Sequence, residues 1–293
     1  MATPKQWIAG ARPRTLPNAI APVIAGVGAG LHIGGVNWWK AALAAVVAIA
    51  FIIGVNFSND YSDGIRGTDD ARVGPVRLVG QGLADPANVK LAAFLCFGVA
   101  ALAGLTLVTL ANTPWLLLVG VACVIAAWKY TGGKNPYGYL GLGEVFVFIF
   151  FGLVAVLGTT YTQAERLELT TWAGAIGVGA VACAVLVVNN LRDIPSDTEA
   201  GKRTLAVRMG DRASRVFYAS LIGVSVLAVG VIALDYPLAL IALAAVLAAA
   251  PGIRAVGGGA TGRALVPALA STGIYLLAYG VLLGLGLWLT QAL

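Results

Sequence analysis

The sequence predicts an all-α integral membrane protein of nine transmembrane helices, and three observations carry that prediction. Hydrophobic residues make up 59% of the 293-residue chain and charged residues only 11%, against roughly a quarter charged in soluble domains. Apolar runs near the length of about twenty residues that spans a bilayer recur from end to end. The basic residues fall on alternate connections between those runs, as positive-inside topology requires.

The elements follow in order. Residues 1–15 hold Lys5, Arg12, Arg14 and prolines but no short apolar core. They read as an interfacial segment with Trp7 and Ile8 among the headgroups, rather than a cleaved signal. Apolar runs then lie at 16–35, 40–58, 88–111, 114–131, 140–161, 171–191, 213–234, 236–256 and 264–289. Tight turns, Ala111-Asn112-Thr113-Pro114 and Asp235-Tyr236-Pro237, split two helix pairs, and each proline opens the next helix. Several of the 38 glycines, such as Gly26, Gly30, Gly54 and Gly177, suit close helix packing.

Seventeen of the nineteen Lys and Arg residues lie on one side of this arrangement, leaving Lys40 and Arg166 on the other. The amino terminus is therefore expected in the cytoplasm and the carboxyl terminus outside, in a multi-pass cell-membrane protein. A net charge of +6 would point to nucleic acid in a soluble domain. Here it follows topology, and no nucleic-acid partner is expected. Cys96, Cys123 and Cys183 stand alone in apolar runs without metal-ligand spacing, as packing residues.

Two polar clusters end apolar runs: Asn56-Phe57-Ser58-Asn59-Asp60-Tyr61-Ser62-Asp63, and Asn189-Asn190-Leu191-Arg192-Asp193-Ile194-Pro195-Ser196-Asp197. Clustered carboxylates repel one another and are costly near lipid. Two such clusters among thirteen acidic residues point to a cation site, most simply Mg²⁺ bridging to a phosphate-bearing substrate. Asn56, Asp60 and Asp63 share a helical face, as do Asn189, Asp193 and Asp197, spaced four apart. Pro195 is expected to disturb the second helix and pass its last residues to a loop. Both clusters lead into basic loops with related tails, Pro75-Val76-Arg77-Leu78-Val79-Gly80 and Thr204-Leu205-Ala206-Val207-Arg208-Met209-Gly210. That echo suggests one domain over 1–293, built of two facing halves, helices two to five and six to nine. Asp85 and Asp211 read as helix caps, Asp69 and Asp70 as extensions of the first cluster or solvated charges. Glu165, Glu168 and Asp235 lie on the far side, with His32, which is not expected to be catalytic.

These motifs resemble the UbiA superfamily of intramembrane prenyltransferases, over nearly the whole chain. Segments similar to the branch acting on 1,4-dihydroxy-2-naphthoate are Ala11–Pro17, Asn59–Asp63, Arg72–Pro75, Tyr137–Glu144 and Asn189–Asp193 through Gly201–Val207. The resemblance implies a UbiA-type bundle with a cytoplasm-facing active site. It implies transfer of a polyprenyl group from its diphosphate to 1,4-dihydroxy-2-naphthoate, with loss of CO₂ and diphosphate, giving demethylmenaquinone. Mg²⁺ is the implied cofactor, membrane lipid the surroundings. The family's Asn-x-x-x-Asp-x-x-x-Asp pattern matches at Asn189, Asp193 and Asp197. In the first motif Asn56 and Asp60 match, but Gly64 holds the third position, so Asp63 is taken to complete the set with Asp69 in reserve. The expected catalytic aspartates are Asp60, Asp63, Asp193 and Asp197, and the metal set adds Asn56 and Asn189. Arg66, Arg72, Arg77, Lys134 and Lys202 are expected on the diphosphate, and Arg14, Asn18 and Tyr139 at the acceptor. Phe57, Tyr61, Phe146, Phe148 and Phe150 are candidate π-faces for an allylic cation. Another aromatic acceptor, such as 4-hydroxybenzoate or homogentisate, remains open, as does an ion-coupled transporter. Chain length, metal count and oligomeric state are not legible.

Overall fold

The computed structural model describes residues 2–67 and 76–292, and these are helical with no strand. Helix α1 (Pro4–Gly10) starts from a Thr3–Gln6 capping box. A 3₁₀ turn, Pro13–Thr15, leads into α2 (Pro17–Ile33), which bends by 49° from the segment before it. Helix α3 (Trp38–Gly64) is capped by Asn37, whose side chain accepts from the Trp39 and Lys40 amides. Asp85 caps α4 (Pro86–Ala111) through the Ala87 amide at 2.7 Å, with Pro86 in the first turn, as expected. Then come α5 (Leu116–Lys129), a 3₁₀ turn Tyr137–Leu140, and α6 (Gly143–Ala164), whose middle, Phe148–Val154, is π-helical. Helix α7 (Leu169–Glu199) is followed by α8 (Leu205–Met209) and α9 (Asp211–Ala233). The last two are α10 (Pro237–Gly257), 3₁₀ over Pro237–Ala245, and α11 (Val266–Ala292).

Among the described residues seven helices are long and apolar enough to cross a membrane, eight if the bent Pro4–Ile33 pair is one span. The expected run 114–131 yields only the 14 residues of α5, a rise of about 21 Å against a hydrocarbon core of about 30 Å. Exposed Trp38, Trp115, Trp172 and Trp288 lie near the helix ends remote from both polar clusters, where an aromatic belt meets headgroups.

Helix α7 runs through the middle, with 78% of its apolar window buried. It continues through Pro195, correcting the expected loop. A proline this close to the helix end removes one backbone bond, which a buried polar setting can replace. Asp211 is also corrected: Gly210 occupies the cap, and Asp211 pairs in the first turn with Arg215 at 2.6 Å. Small residues set the spacing, for a Cβ on Gly26 would fall 2.7 Å from the Val156 carbonyl and one on Gly54 2.6 Å from Phe97. In the core, Tyr218 pairs with Thr272 and Tyr275 with Ser225, so α9 and α11 satisfy their buried hydroxyls mutually.

Candidate active site

The polar ends of α3 and α7 meet at one end of the bundle. Between them lies a half-open cleft. Its walls include Asn59 and Asp63 from α3, and Asn189, Asn190 and Asp197 from α7. The connections add Arg12, Arg77, Tyr130, Thr131, Tyr139, Lys202 and Thr204.

Asp63, 3% exposed, is the hub. Its Oδ1 accepts from the Tyr139 hydroxyl at 2.5 Å, and its Oδ2 lies 3.4 Å from Lys202 Nζ and 3.9 Å from Arg77 Nη2. Lys202 also stands 4.7 Å over the Tyr139 ring. The backbone aligns these groups: Lys202 N–H donates to the Asp197 carbonyl at 2.7 Å and Arg203 N–H to the Tyr139 carbonyl at 3.0 Å. Asp63, Asp197, Arg77, Lys202 and Tyr139 thus share one cleft.

Of the other expected metal ligands, Asn189 lines the cleft, whereas Asn56, Asp60 and Asp193 do not. Both Asp60 oxygens, wholly buried, accept backbone amides, from Leu78 at 2.7 Å and Val79 at 3.1 Å. Asp60 therefore pins the strand of chain that carries Arg77. Asp193 makes a bidentate pair with its neighbour Arg192, Nε to Oδ1 and Nη2 to Oδ2, each at 2.7 Å. Arg192, read from sequence as a loop cation, is 6% exposed and also donates to Asn189 Oδ1 at 2.9 Å. Asn56 turns its amide away, toward the chain near residue 12.

Among the expected diphosphate ligands, Arg66 donates instead to the Thr131 and Gly133 carbonyls, tying α3 to the connection after α5. Lys134 is exposed off the cleft, and Arg72 lies outside the described residues, as do Asp69 and Asp70. Arg14 is exposed and Asn18 bonds the Thr15 carbonyl at 3.3 Å, so neither faces the cleft; Tyr139 does, beside Asp63 rather than apart from it. Phe57 packs on Trp7, Tyr61 on Trp128 and Phe146 on Tyr137, in place of the expected cation pocket. The rings that do line the cleft are Tyr130 and Tyr139.

Sequence reasoning missed Arg12, Asn59, Asn190 and Glu144. Asn59 and Asn190 lie inside the two polar clusters but outside the positions matched to the family's Asn-x-x-x-Asp-x-x-x-Asp pattern. Glu144 is buried at the start of α6, and its Oε1 accepts from Asn190 Nδ2 at 2.9 Å, fixing that amide at the cleft wall. Its sequence signals were a carboxylate near the start of an apolar run and its place at the end of the Tyr137–Glu144 segment.

Among the described residues no three His, Cys, Asp or Glu side chains converge into a metal-binding group. The donor chemistry still suits Mg²⁺, which is held through one or two carboxylates and takes its remaining ligands from water and phosphate. Asp63 and Asp197 are two such carboxylates, both lining the cleft.

The UbiA prenyltransferase family model matches residues 19–258. The chain is 53% identical over 281 residues to 1,4-dihydroxy-2-naphthoate octaprenyltransferase of Mycobacterium tuberculosis, covering 96% of each. It is 38% identical over 229 residues to the protein of that name in Escherichia coli, covering 74% of this chain and 72% of that one. A UbiA homolog from Archaeoglobus fulgidus bound to GPP and Mg²⁺ shares the fold at a TM-score of 0.67 and 13% identity, over 95% of this chain and 99% of that one. The apo UbiA homolog from Aeropyrum pernix K1 does so at 0.69 and 16%, over 92% and 96%.

Proposed function

This chain belongs to the UbiA prenyltransferase family, and from that premise we propose that it transfers a polyprenyl group from its diphosphate to 1,4-dihydroxy-2-naphthoate, releasing diphosphate and CO₂. The observation that carries the reading is the shared cleft, with Asp63 from α3 and Asp197 from α7 on its walls among Arg12, Arg77 and Lys202. The naphthoate acceptor is supported by the naming of relatives in two bacteria, one matched over 96% of this chain.

Asp63 and Asp197, with the amide oxygen of Asn189, are the residues that would hold Mg²⁺. When bound, the ion neutralises diphosphate charge and so makes diphosphate a better leaving group. Asp60 and Asp193 keep the scaffold that aims them. Arg77 and Lys202, balanced by Asp63 in the resting site, turn their charge to the diphosphate as the allylic carbon–oxygen bond breaks. Tyr139 orients Asp63 and, with Tyr130, presents a ring toward the electron-poor allyl group. The ring carbon bearing the carboxylate then forms the new carbon–carbon bond. Loss of CO₂ returns the electron pair of the old bond to the ring, so an ionised acceptor needs no proton removed. The site accordingly requires anion-binding groups and dryness more than a base. The product forms as the quinol of demethylmenaquinone.

The orientation follows from charge: cleft and amino terminus cytoplasmic, carboxyl terminus outside, with α5 a short ninth crossing. The test is purified protein with labelled geranylgeranyl diphosphate and Mg²⁺, offering each aromatic acid in turn. Prenylated naphthalene and stoichiometric CO₂ are expected with 1,4-dihydroxy-2-naphthoate. Product with 4-hydroxybenzoate alone would overturn the acceptor, and no product with any acid would overturn the activity.

A further inference from the structure

Asn56 opens the first polar motif and is 5% exposed. A primary amide has two N–H donors, and both are committed: Nδ2 donates to the Ala11 carbonyl at 2.9 Å and to Thr15 Oγ1 at 2.9 Å. Thr15 in turn donates its hydroxyl to the Arg12 carbonyl at 2.9 Å. The residue bracketed by these bonds, Arg12, has a left-handed backbone, φ 54° and ψ 67°. A side-chain-bearing residue holds that conformation only where its surroundings enforce it. The preceding helix is docked just as closely. Gly10 is buried, where a Cβ would fall 2.8 Å from Leu78 Cδ1, and the Trp7 ring meets Phe57 edge-on at 5.6 Å. Leu78 is itself fastened by Asp60. The outcome of this bracing is that Arg12 lines the cleft with Asp63, Arg77, Asp197 and Lys202.

We infer that Asn56 is a positioning residue that clamps the Ala11–Thr15 turn, and that Arg12 held by this clamp is a cation for the substrate's diphosphate. The inference rests on the proposed use of a prenyl diphosphate. A guanidinium at a fixed angle binds two phosphate oxygens at once, which an ammonium does not. The strained turn supplies that angle, and Asn56 holds the turn. The first motif's asparagine thereby couples the interfacial segment to the cleft without touching the anion.

The experiment uses the full chain in detergent, with Asn56→Ala, Arg12→Ala and the double variant. Two quantities are read: affinity for inorganic diphosphate with Mg²⁺, from the concentration dependence of the melting-temperature shift, and KM for the prenyl diphosphate at saturating acceptor. Each single variant is expected to weaken both by about tenfold. The double variant should be no worse than Arg12→Ala alone, since Asn56 acts through Arg12. The Mg²⁺ concentration giving half-maximal rate should stay unchanged in Asn56→Ala. Additive losses near a hundredfold, or a raised Mg²⁺ requirement in Asn56→Ala with diphosphate affinity intact, would overturn the inference and leave the activity standing. A wild-type chain blind to inorganic diphosphate would instead overturn the diphosphate reading beneath it. Should Asn56→Ala fail to fold, Thr15→Val deletes one of the two acceptors. It is expected to shift both quantities in the same direction by a smaller factor, and normal values would overturn the clamp.

Discussion

The ends of α3 and α7 carry similar motifs and solve the same problem by different means. In each, one aspartate faces the cleft, Asp63 or Asp197, while another, Asp60 or Asp193, is bound by its own scaffold. On α3 the scaffold is backbone: Asp60 collects the Leu78 and Val79 amides and so fixes a connection that brings Arg77 to Asp63. On α7 it is a side chain: Arg192 folds onto the adjacent Asp193 and reaches Asn189. The difference teaches that a buried carboxylate near lipid needs a partner before it can serve as architecture. The α3 end recruits a distant segment for Asp60, whereas on α7 Asp193 is held by an arginine of its own helix. The first cluster should therefore couple to its loop, and the second to its own helix.

The comparison can be broken most severely at Arg192. Arg192→Ala removes the bidentate partner of the buried Asp193 and should cost about 3–5 kcal/mol of stability, seen as a large fall in melting temperature. An unchanged melt would mean the pair is not the frame of the α7 end. Next come the cleft carboxylates. Asp63→Asn and Asp197→Asn should each lower turnover by about 10²–10³-fold, the scale for removing one electrostatic group at a reacting centre, and Asp63→Asn should also lower the melting temperature, because Arg77 and Lys202 lose a buried counter-charge. Turnover within threefold in either variant would remove that carboxylate from the site. Asp60→Ala sharpens the contrast, because it leaves two buried amides without acceptors, at about 1–3 kcal/mol each. Asp60→Asn, which keeps one acceptor oxygen, should lose less. Limited proteolysis should find new cleavage within 76–85 in the alanine variant; cleavage elsewhere only would contradict the anchoring role. Smallest is Arg66→Ala, whose exposed guanidinium serves the Thr131 and Gly133 carbonyls and does not itself line the cleft. Its turnover should stay within about threefold of wild type, as for surface changes, and a tenfold loss would place Arg66 back among the diphosphate ligands.

Much of the fold was legible because a bilayer imposes one length and one polarity on its helices. The Asp85–Pro86 start of α4 and the Gly26 and Gly54 close approaches were readable locally. The 14-residue α5 was not, since the two residues at each end of the 114–131 run are in turns rather than in helix. Nor was the course of α7 through Pro195, because a loss of one backbone bond is decided by neighbours far away in sequence. At the site, spacing showed which residues share a helical face but not which oxygens the chain itself consumes. Asp60 and Asp63 look equivalent until Leu78 and Val79 are seen bonding one and Lys202 approaching the other. Arg12 was hidden for a related reason, since its reach depends on a left-handed turn that Asn56 holds from 44 positions away in sequence.

The most direct test of the shared cleft is a structure with Mn²⁺ in place of Mg²⁺ and a non-hydrolysable prenyl diphosphate analogue, read by anomalous scattering. The account predicts metal peaks within about 2.3 Å of carboxylate oxygens of Asp63 and Asp197, with the diphosphate against Arg12, Arg77 and Lys202. Metal seated on Asp60 and Asp193, with none at coordination distance from Asp63 or Asp197, would contradict it.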